Sequence, residues 1–386
     1  MRAYRAVPGA PLASWANRVT ISLVMGYRGV LVLALAASAC GNWTSDSAGH
    51  LRDPGVAGGG RAAGDAGARE TEAGKGGGPS AAGGTGGASG SPAAGAPAAD
   101  KPPCAPNTLA NYTLLDRQSA VELLRNVTAI DNDLTITGDV TDLSPLACLS
   151  KVRDLYIENT TQLKSLAGLE RLTSVRRISI NADCTDEGQN TCTVNQQLSN
   201  VSFEALSEVE LIHVFKNPAL TTLSFARLTR LPEISMVRNP ALVRISIPAL
   251  TQAGTVDIFD CPIENLTFFS ALTEIGSLGV ERTKIRDLRG LEGLTGIKSL
   301  ALRNNIALAS LAGADSLEQA GAIYLQENPA LVSLRGLGAL RSLEFLRILR
   351  NAALPTCEAH WLRDLIGAQS ITSGVDISDN GSGACP

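Results

Sequence analysis

From residue 134 to residue 380 the chain repeats one short pattern: an aliphatic-x-aliphatic strand, a polar turn and a run of Leu at every third position. Alternation within each strand sends one set of side chains into a core and the other outward. Strand starts fall at Leu134, Leu155, Ile178, Ile212, Ile234, Val256, Leu278, Leu300, Ile323, Leu346 and Val375, a period of about 22 residues. A fixed period of that length predicts a solenoid, here of eleven stacked coils, two of them lengthened by insertions.

A well-formed coil reads IYLQENPALVSLRGLGALRSL, with Leu at 331, 334, 337, 340 and 343. A spacing of three does not match an α-helix. It predicts short 3₁₀-like turns or tight extended segments on the far side of each coil. The expected fold is therefore mainly β: a parallel-β solenoid with small helical caps. Ser119-Ala120-Val121-Glu122 has the form of a capping box opening the first cap helix. Thr356 stands where it would cap a second, with Ala359, Leu362, Leu365 and Ile366 as the apolar face and Gly367 as the stop.

Two registers stand out. Five residues beyond each strand start lie Asp139, Thr160, Asp183, Asn217, Asn239, Cys261, Thr283, Asn305, Asn328, Asn351 and Asn380, mostly short polar side chains. Three residues beyond, on the outward side, Phe215, Val237 and Phe259 follow one another on consecutive coils, with His213 and Asp257 beside them. At about 4.8 Å between strands these form an apolar strip about 10 Å long. Such a strip, rimmed by polar groups, predicts a partner site. The alternative is that these residues face a second layer.

Composition changes the picture at the N-terminus. Residues 44–103 are dominated by Gly, Ala, Ser and Pro and bury too little apolar surface to fold. They are expected to act as a tether spanning on the order of 40 to 45 Å. Before them, Arg28 precedes the apolar run GVLVLALAASA, too short to span a bilayer but shaped as a secretory signal. Met25 would begin a signal of more usual length. The organisation expected is a signal peptide at 1–39, the tether at 40–103 and the solenoid at 104–386.

Export predicts paired cysteines. Local pairing would join Cys104 to Cys148 in the first cap, Cys184 to Cys192 in the insertion after the third strand, and Cys357 to Cys385 in the last cap, leaving Cys261. A net charge of -4 and 4% aromatics supply neither the basic stripe nor the stacking platforms that nucleic acid requires. The histidines are His50, His213 and His360, too dispersed for a His-based metal or nucleophile site. The outward acids Glu158, Asp257, Glu281 and Asp376 read as solvated charges on separate coils. The acidic insertion with Asp183, Asp186 and Glu187 lacks the ligand spacing of a calcium loop. No catalytic residue, metal or cofactor is expected.

Several segments resemble known families. TAIDNDLTITGD and the turns KNPAL, RNPAL and ENPAL resemble the receptor L domain, a right-handed β-helix relative of leucine-rich repeats. The ending LPTCEAHWLRDLI, with VDISDNGSGACP, is similar to the close of bacterial lipoproteins that carry such domains. VTDLSPLACLSKVRDLYI and LRGLEGLTGIKSLAL are equally similar to short leucine-rich repeats of the internalin kind, which would open into an arc. Ala37-Ser38-Ala39-Cys40-Gly41 resembles a lipobox, with Ala37 where Leu is usual. That resemblance implies acylation of Cys40 and a lipid anchor in a bacterial envelope, at the outer membrane or cell surface; an ordinary signal cut beside a chance Cys is the alternative. In leucine-rich repeats the ladder site takes Asn or Cys, which implies that Cys261 is a buried structural thiol. Both families imply recognition of a surface protein or glycan without chemistry. Because many right-handed β-helices act on polysaccharides, a carbohydrate-acting enzyme is the other reading.

Overall fold

The computed structural model describes residues 104–181 and 194–384. The strands in chain order are β1 (Thr108–Leu109), β2 (Thr113–Leu115), β3 (Ala129–Gly138), β4 (Lys151–Thr160), β5 (Ser174–Ile180), β6 (Asn200–Phe203), β7 (Leu211–Phe215) and β8 (Thr222–Phe225). They continue as β9 (Arg230–Val237), β10 (Arg244–Ser246), β11 (Gln252–Phe259), β12 (Glu274–Glu281), β13 (Gly296–Arg303), β14 (Gln319–Gln326), β15 (Ser342–Leu349) and β16 (Gly374–Ser378). Thirteen of them form one sheet, in the order β1-β3-β4-β5-β7-β9-β11-β12-β13-β14-β15-β16 with β2 also on β3, and all its pairings are parallel. The chain is a parallel-β solenoid.

Each expected strand start lies inside one of these strands rather than at its beginning. The pairing extends upstream because a further inward residue, such as Ile275 or Ile297, also joins the ladder. The aliphatic pairs face the core: Ile234 and Met236, Val256 and Ile258, and Leu300 and Leu302 are all 0–2% exposed. They stack on one another in register, Ile234 on Val256 on Leu278.

The far side takes two forms, and the sequence period decides which. Where Leu recurs every third residue, short 3₁₀ turns form at Ser144–Leu146, Thr267–Phe269 and Arg335–Leu337. Where the period drops to two, as in Val201-x-Phe203 and Leu223-x-Phe225, β6, β8 and β10 build a second parallel sheet of three strands. Phe203 and Phe225 stack inside it with ring centroids 5.6 Å apart.

A buried polar ladder runs along the turn that leaves each main strand. The backbone N–H of Asn217 donates to Asn239 Oδ1 at 3.1 Å, and those of Asn305, Asn328 and Asn351 donate to the Oδ1 of Asn328, Asn351 and Asn380 at 3.0 to 3.1 Å. Each Asn amide also donates back to a strand carbonyl, as Asn328 does to Leu302 O at 2.9 Å. Apart from the Asn195 rung, the residue before each rung from Thr160 onward is left-handed, from Asn159 (φ 57°) through Lys216, Arg238, Asp260 and Arg282 to Asp379 (φ 56°). This fold therefore holds non-glycine residues in a costly conformation coil after coil, offset by the ladder.

The third rung is Asn195, not the expected Asp183, which lies outside the described residues. Asn195 is 0% exposed, accepts from the N–H and hydroxyl of Thr160, and donates to Ile157 O at 2.9 Å. The coil closes only after the insertion, so counting from the strand start lands short of the rung.

The caps differ in detail from expectation. Helix α1 spans Gln118–Glu122 with Arg117 at its N-cap, and Ser119 does not cap it. Gln118 docks the helix instead, accepting from the backbone N–H groups of Thr141 and Asp142 and donating to Asp142 O. Helix α2 spans Thr356–Ile366 with Pro355 at its N-cap; the Thr356 hydroxyl donates to Gly381 O at 3.1 Å, and Gly367 ends the helix. Glu358 and Arg335 tie α2 to the preceding coil. No helix among the described residues is long and apolar enough to cross a membrane.

Cys104 and Cys148 are joined, closing the first cap. Cys357 is disulfide-bonded, and Cys385 lies outside the described residues. Cys184, Cys192, Asp186, Glu187, His50, Cys40 and the whole of 1–103 also lie outside them. Cys261 is a buried free thiol.

Candidate functional site

The outward residues of β7, β9, β11 and β12 fall into rows because the strands pair in register. One row is His213, Ser235, Asp257 and Gly279; the next is Phe215, Val237, Phe259 and Glu281. A third, upstream, is Leu211, Glu233, Thr255 and Ser277. Alternation of the β pleat puts all three rows on the face opposite the aliphatic core.

The apolar strip is more covered than its outward register implies. Phe215 is 9% exposed, while Val237 and Phe259 are half-buried. This corrects the expectation of an exposed Phe215. Even so, none of the three joins the continuous core cluster that runs through Ile212, Val214, Val256 and Ile258. The His213 ring packs against that of Phe215, centroids 5.0 Å apart and tilted by 56°.

Two acids lie beside this strip on neighbouring coils. His213 Nε2 lies 3.4 Å from Glu233 Oε1. Asp257 is half-buried, and its carboxyl is pushed up to about 6 by burial and then by the nearby negative charge of Glu233. Asp257 makes no hydrogen bond or ion pair to the described residues. Gly279 explains how it fits: a Cβ there would sit 2.6 Å from Asp257 Oδ1 and 3.3 Å from the Phe259 ring, so both side chains lie over the missing methyl.

Glu158, Asp257, Glu281 and Asp376 do lie on separate coils, and Glu233, one row upstream on the strand next to Asp257, adds a second acid beside it. Glu233 precedes the aliphatic pair of its strand, so the outward positions between and after that pair do not include it. Extending the alternation upstream from Ile234 would have found it. The other outward acids stay apart: Glu281 pairs with Arg282, and Asp376 with Arg347 at 3.1 Å. Glu158 is pushed up by burial and lies several coils away.

The charges on the face are segregated. In the three rows across β7, β9, β11 and β12 there are three acids and no Lys or Arg. Continued across β13, β14 and β15, the same rows carry Arg303 and Arg347, and β16 then sets Asp376 against Arg347. Arg303 lies 5.4 Å from the centre of the Tyr324 ring, and Arg347 the same distance from that of Phe345. An open cleft of about 640 Å³ lies near the beginnings of β4 and β5, but its Arg153 and Arg176 are neutralised by Asp133 and Asp154. Among the described residues no three His, Cys, Asp or Glu side chains converge as a metal site.

No family model matches the chain, and no curated protein sequence matches it. Among solved structures it is similar to a chain in the crystal structure of the TLR13–ssRNA13 complex, with 13% identity and a TM-score of 0.20, over 64% of this chain and 55% of that one. The chain thus spans about half the length of that neighbour, and a likeness this low carries no argument.

Proposed function

We propose that this protein is a non-catalytic binding module of a bacterial cell envelope, related to receptor L domains and leucine-rich repeats, anchored by a lipid on Cys40 and held off the membrane by the tether at 44–103. Its partner is a surface protein or glycan bound on the outer face of the main sheet. The observation that carries the reading is the outward, half-buried pair Val237 and Phe259, which lies outside the core cluster beside the buried Phe215 and is flanked by an acid without a partner among the described residues. A rigid sheet that holds apolar and charged side chains at fixed 4.8 Å steps suits recognition of an extended surface.

Mass spectrometry of the mature N-terminus tests the anchor: a diacylated Cys40 is expected, and an unlipidated terminus at any other residue removes it. Binding is tested by presenting the full chain to isolated envelope fractions, with Phe259→Ser as the face variant. Equal capture by both forms would sink the face as the site.

One observation favours a second reading, a carbohydrate-acting enzyme. Glycoside hydrolysis uses two carboxyl groups, one of them raised by its surroundings, and Asp257, pushed up by burial, has a second carboxyl, Glu233, near it. Turnover of envelope polysaccharide by the full chain that is lost in Asp257→Asn would replace the binding reading with this one.

A further inference from the structure

We infer that the sheet face over β7, β9 and β11 docks a protein segment presenting a Lys or Arg side chain next to an apolar one, with the cation received between Asp257 and Glu233 and the apolar group on Phe259 and Val237. This rests on the binding reading above and names the partner's chemistry at the same face.

A carboxylate drawn partly out of water is stable only when hydrogen bonds or opposite charge replace its hydration. Asp257 has neither among the described residues, and the one charge that acts on it there is that of another carboxylate, Glu233. Nearby acids are compensated: Asp260 takes Arg282, and Glu281 takes Arg282 as well. The fold supplies an arginine to these two and none to Asp257.

The surroundings decide which ligand chemistry fits. His213 offers the only other ionisable group in the three rows on these strands, and it already faces Glu233 at 3.4 Å. A cationic group entering here meets two acids on adjacent coils and no like charge from Lys or Arg. Ser235, between His213 and Asp257 in their row, and Gly279, beyond Asp257, are small, so the carboxyl is flanked rather than roofed over. Phe259 and Val237, one row away, supply the apolar contact and aromatic edge that a Lys or Arg stem and its apolar neighbour bury. A neutral glycan would stack on Phe259 but leave the excess negative charge without a counter-charge. Arg303, farther along the same face, extends the match, since a segment running across the coils would meet acids first and a cation after, while Arg347 is already taken by Asp376.

The test uses the full chain and three probes: an acetylated, amidated Lys-Phe-Lys peptide, its Glu-Phe-Glu counterpart, and chitotetraose as a neutral glycan, each titrated to about 1 mM, the weak-binding limit. Calorimetry or NMR reads the affinity. The Lys peptide is expected to bind, the Glu peptide is not, and Asp257→Asn with Glu233→Gln is expected to weaken the Lys peptide at least tenfold. Asp376→Asn, on the same sheet but paired elsewhere, is expected to leave it unchanged.

Failure of the Lys peptide to bind, or binding indifferent to the double variant, overturns the proposal. Chitotetraose binding lost in the same double variant also overturns it while keeping the face as a binding site. Cleavage of chitotetraose would overturn the binding reading itself. A melt of the double variant that matches the parent chain excludes misfolding as the cause of any loss.

Discussion

Glu358 in α2 is 2% exposed and takes both Nε and Nη2 of Arg335, at 3.0 and 2.7 Å, while the guanidinium lies 4.1 Å from the centre of the Trp361 ring. The same carboxylate accepts the Leu334 N–H at 3.2 Å. One acid therefore holds the C-terminal cap to the coil beneath it. Glu358→Ala strands a backbone donor and an arginine at once. Arg335 is half exposed, so water recovers part of the loss, and the expected cost is about 2 kcal/mol. Thermal unfolding gives the cost, and hydrogen exchange localises it to residues 356–378. A loss spread evenly over the solenoid would contradict a local clasp.

Cys261 repeats the bonding of the rung before it. Asn239 donates to Val214 O and Val237 O; Cys261 Sγ lies 3.5 and 3.4 Å from the corresponding carbonyls of Met236 and Phe259. Burial pushes its thiol up to about 11, so it stays protonated and unreactive at neutral pH. Cys261→Asn is expected to fold with unchanged or higher stability, since the amide also supplies an acceptor to Asn239. Cys261→Leu should cost about 1 to 3 kcal/mol by leaving those groups unsatisfied. Alkylation of the native protein, read by mass spectrometry, should leave Cys261 unlabelled.

The solenoid was legible because its signal is periodic and each coil repeats it, so Leu134 to Val375 could be counted without knowing any contact. What the count missed is local. Asn195 is displaced by an insertion, and α1 begins with a side chain bonding to another coil, through Gln118, rather than with its own cap. The site is less legible for a different reason. Phe215, Val237 and Phe259 share a row by register, but how deeply each sits depends on neighbours such as His213. The coupling of Asp257 to Glu233 arises between strands, with Gly279 making room, and no spacing within one strand encodes it.

Gly290 tests how tightly the coils are wound. It holds φ +110°, and a Cβ there would lie 2.1 Å from Leu266 O in the preceding coil. Gly290→Ala combines a backbone conformation closed to alanine with a collision against main chain that no rotamer relieves. The expected loss is about 3 kcal/mol or more. Gly296→Ala serves as the comparison, since the nearest atom to its Cβ would be 3.9 Å away. Denaturant unfolding of the pair should differ by most of that amount; equal stabilities would mean that the coils can separate at little cost.

Asp257 gives the pH dependence its sign. Its folded carboxyl titrates at about 6, against 3.8 for the free side chain. Between those values the folded chain holds a proton that the unfolded chain has released, so stability falls as pH rises through this window and stays lowered above it. Below about pH 4 both states are protonated and the penalty vanishes. A shift of this size would be worth about 3 kcal/mol for a sealed group; partial exposure and screening reduce the expectation to about 1 kcal/mol. Asp257→Asn should therefore raise the melting temperature at pH 7.5 and leave it unchanged at pH 4. If the Lys-Phe-Lys peptide docks as inferred, its affinity runs the other way, strengthening as pH rises through 6, because only the ionised carboxylate attracts the cation. Melts of both forms across pH 4 to 8 check the first half, and peptide titrations across the same range check the second. An Asn variant no more stable than the parent at pH 7.5 would show that Asp257 is not an unmet charge.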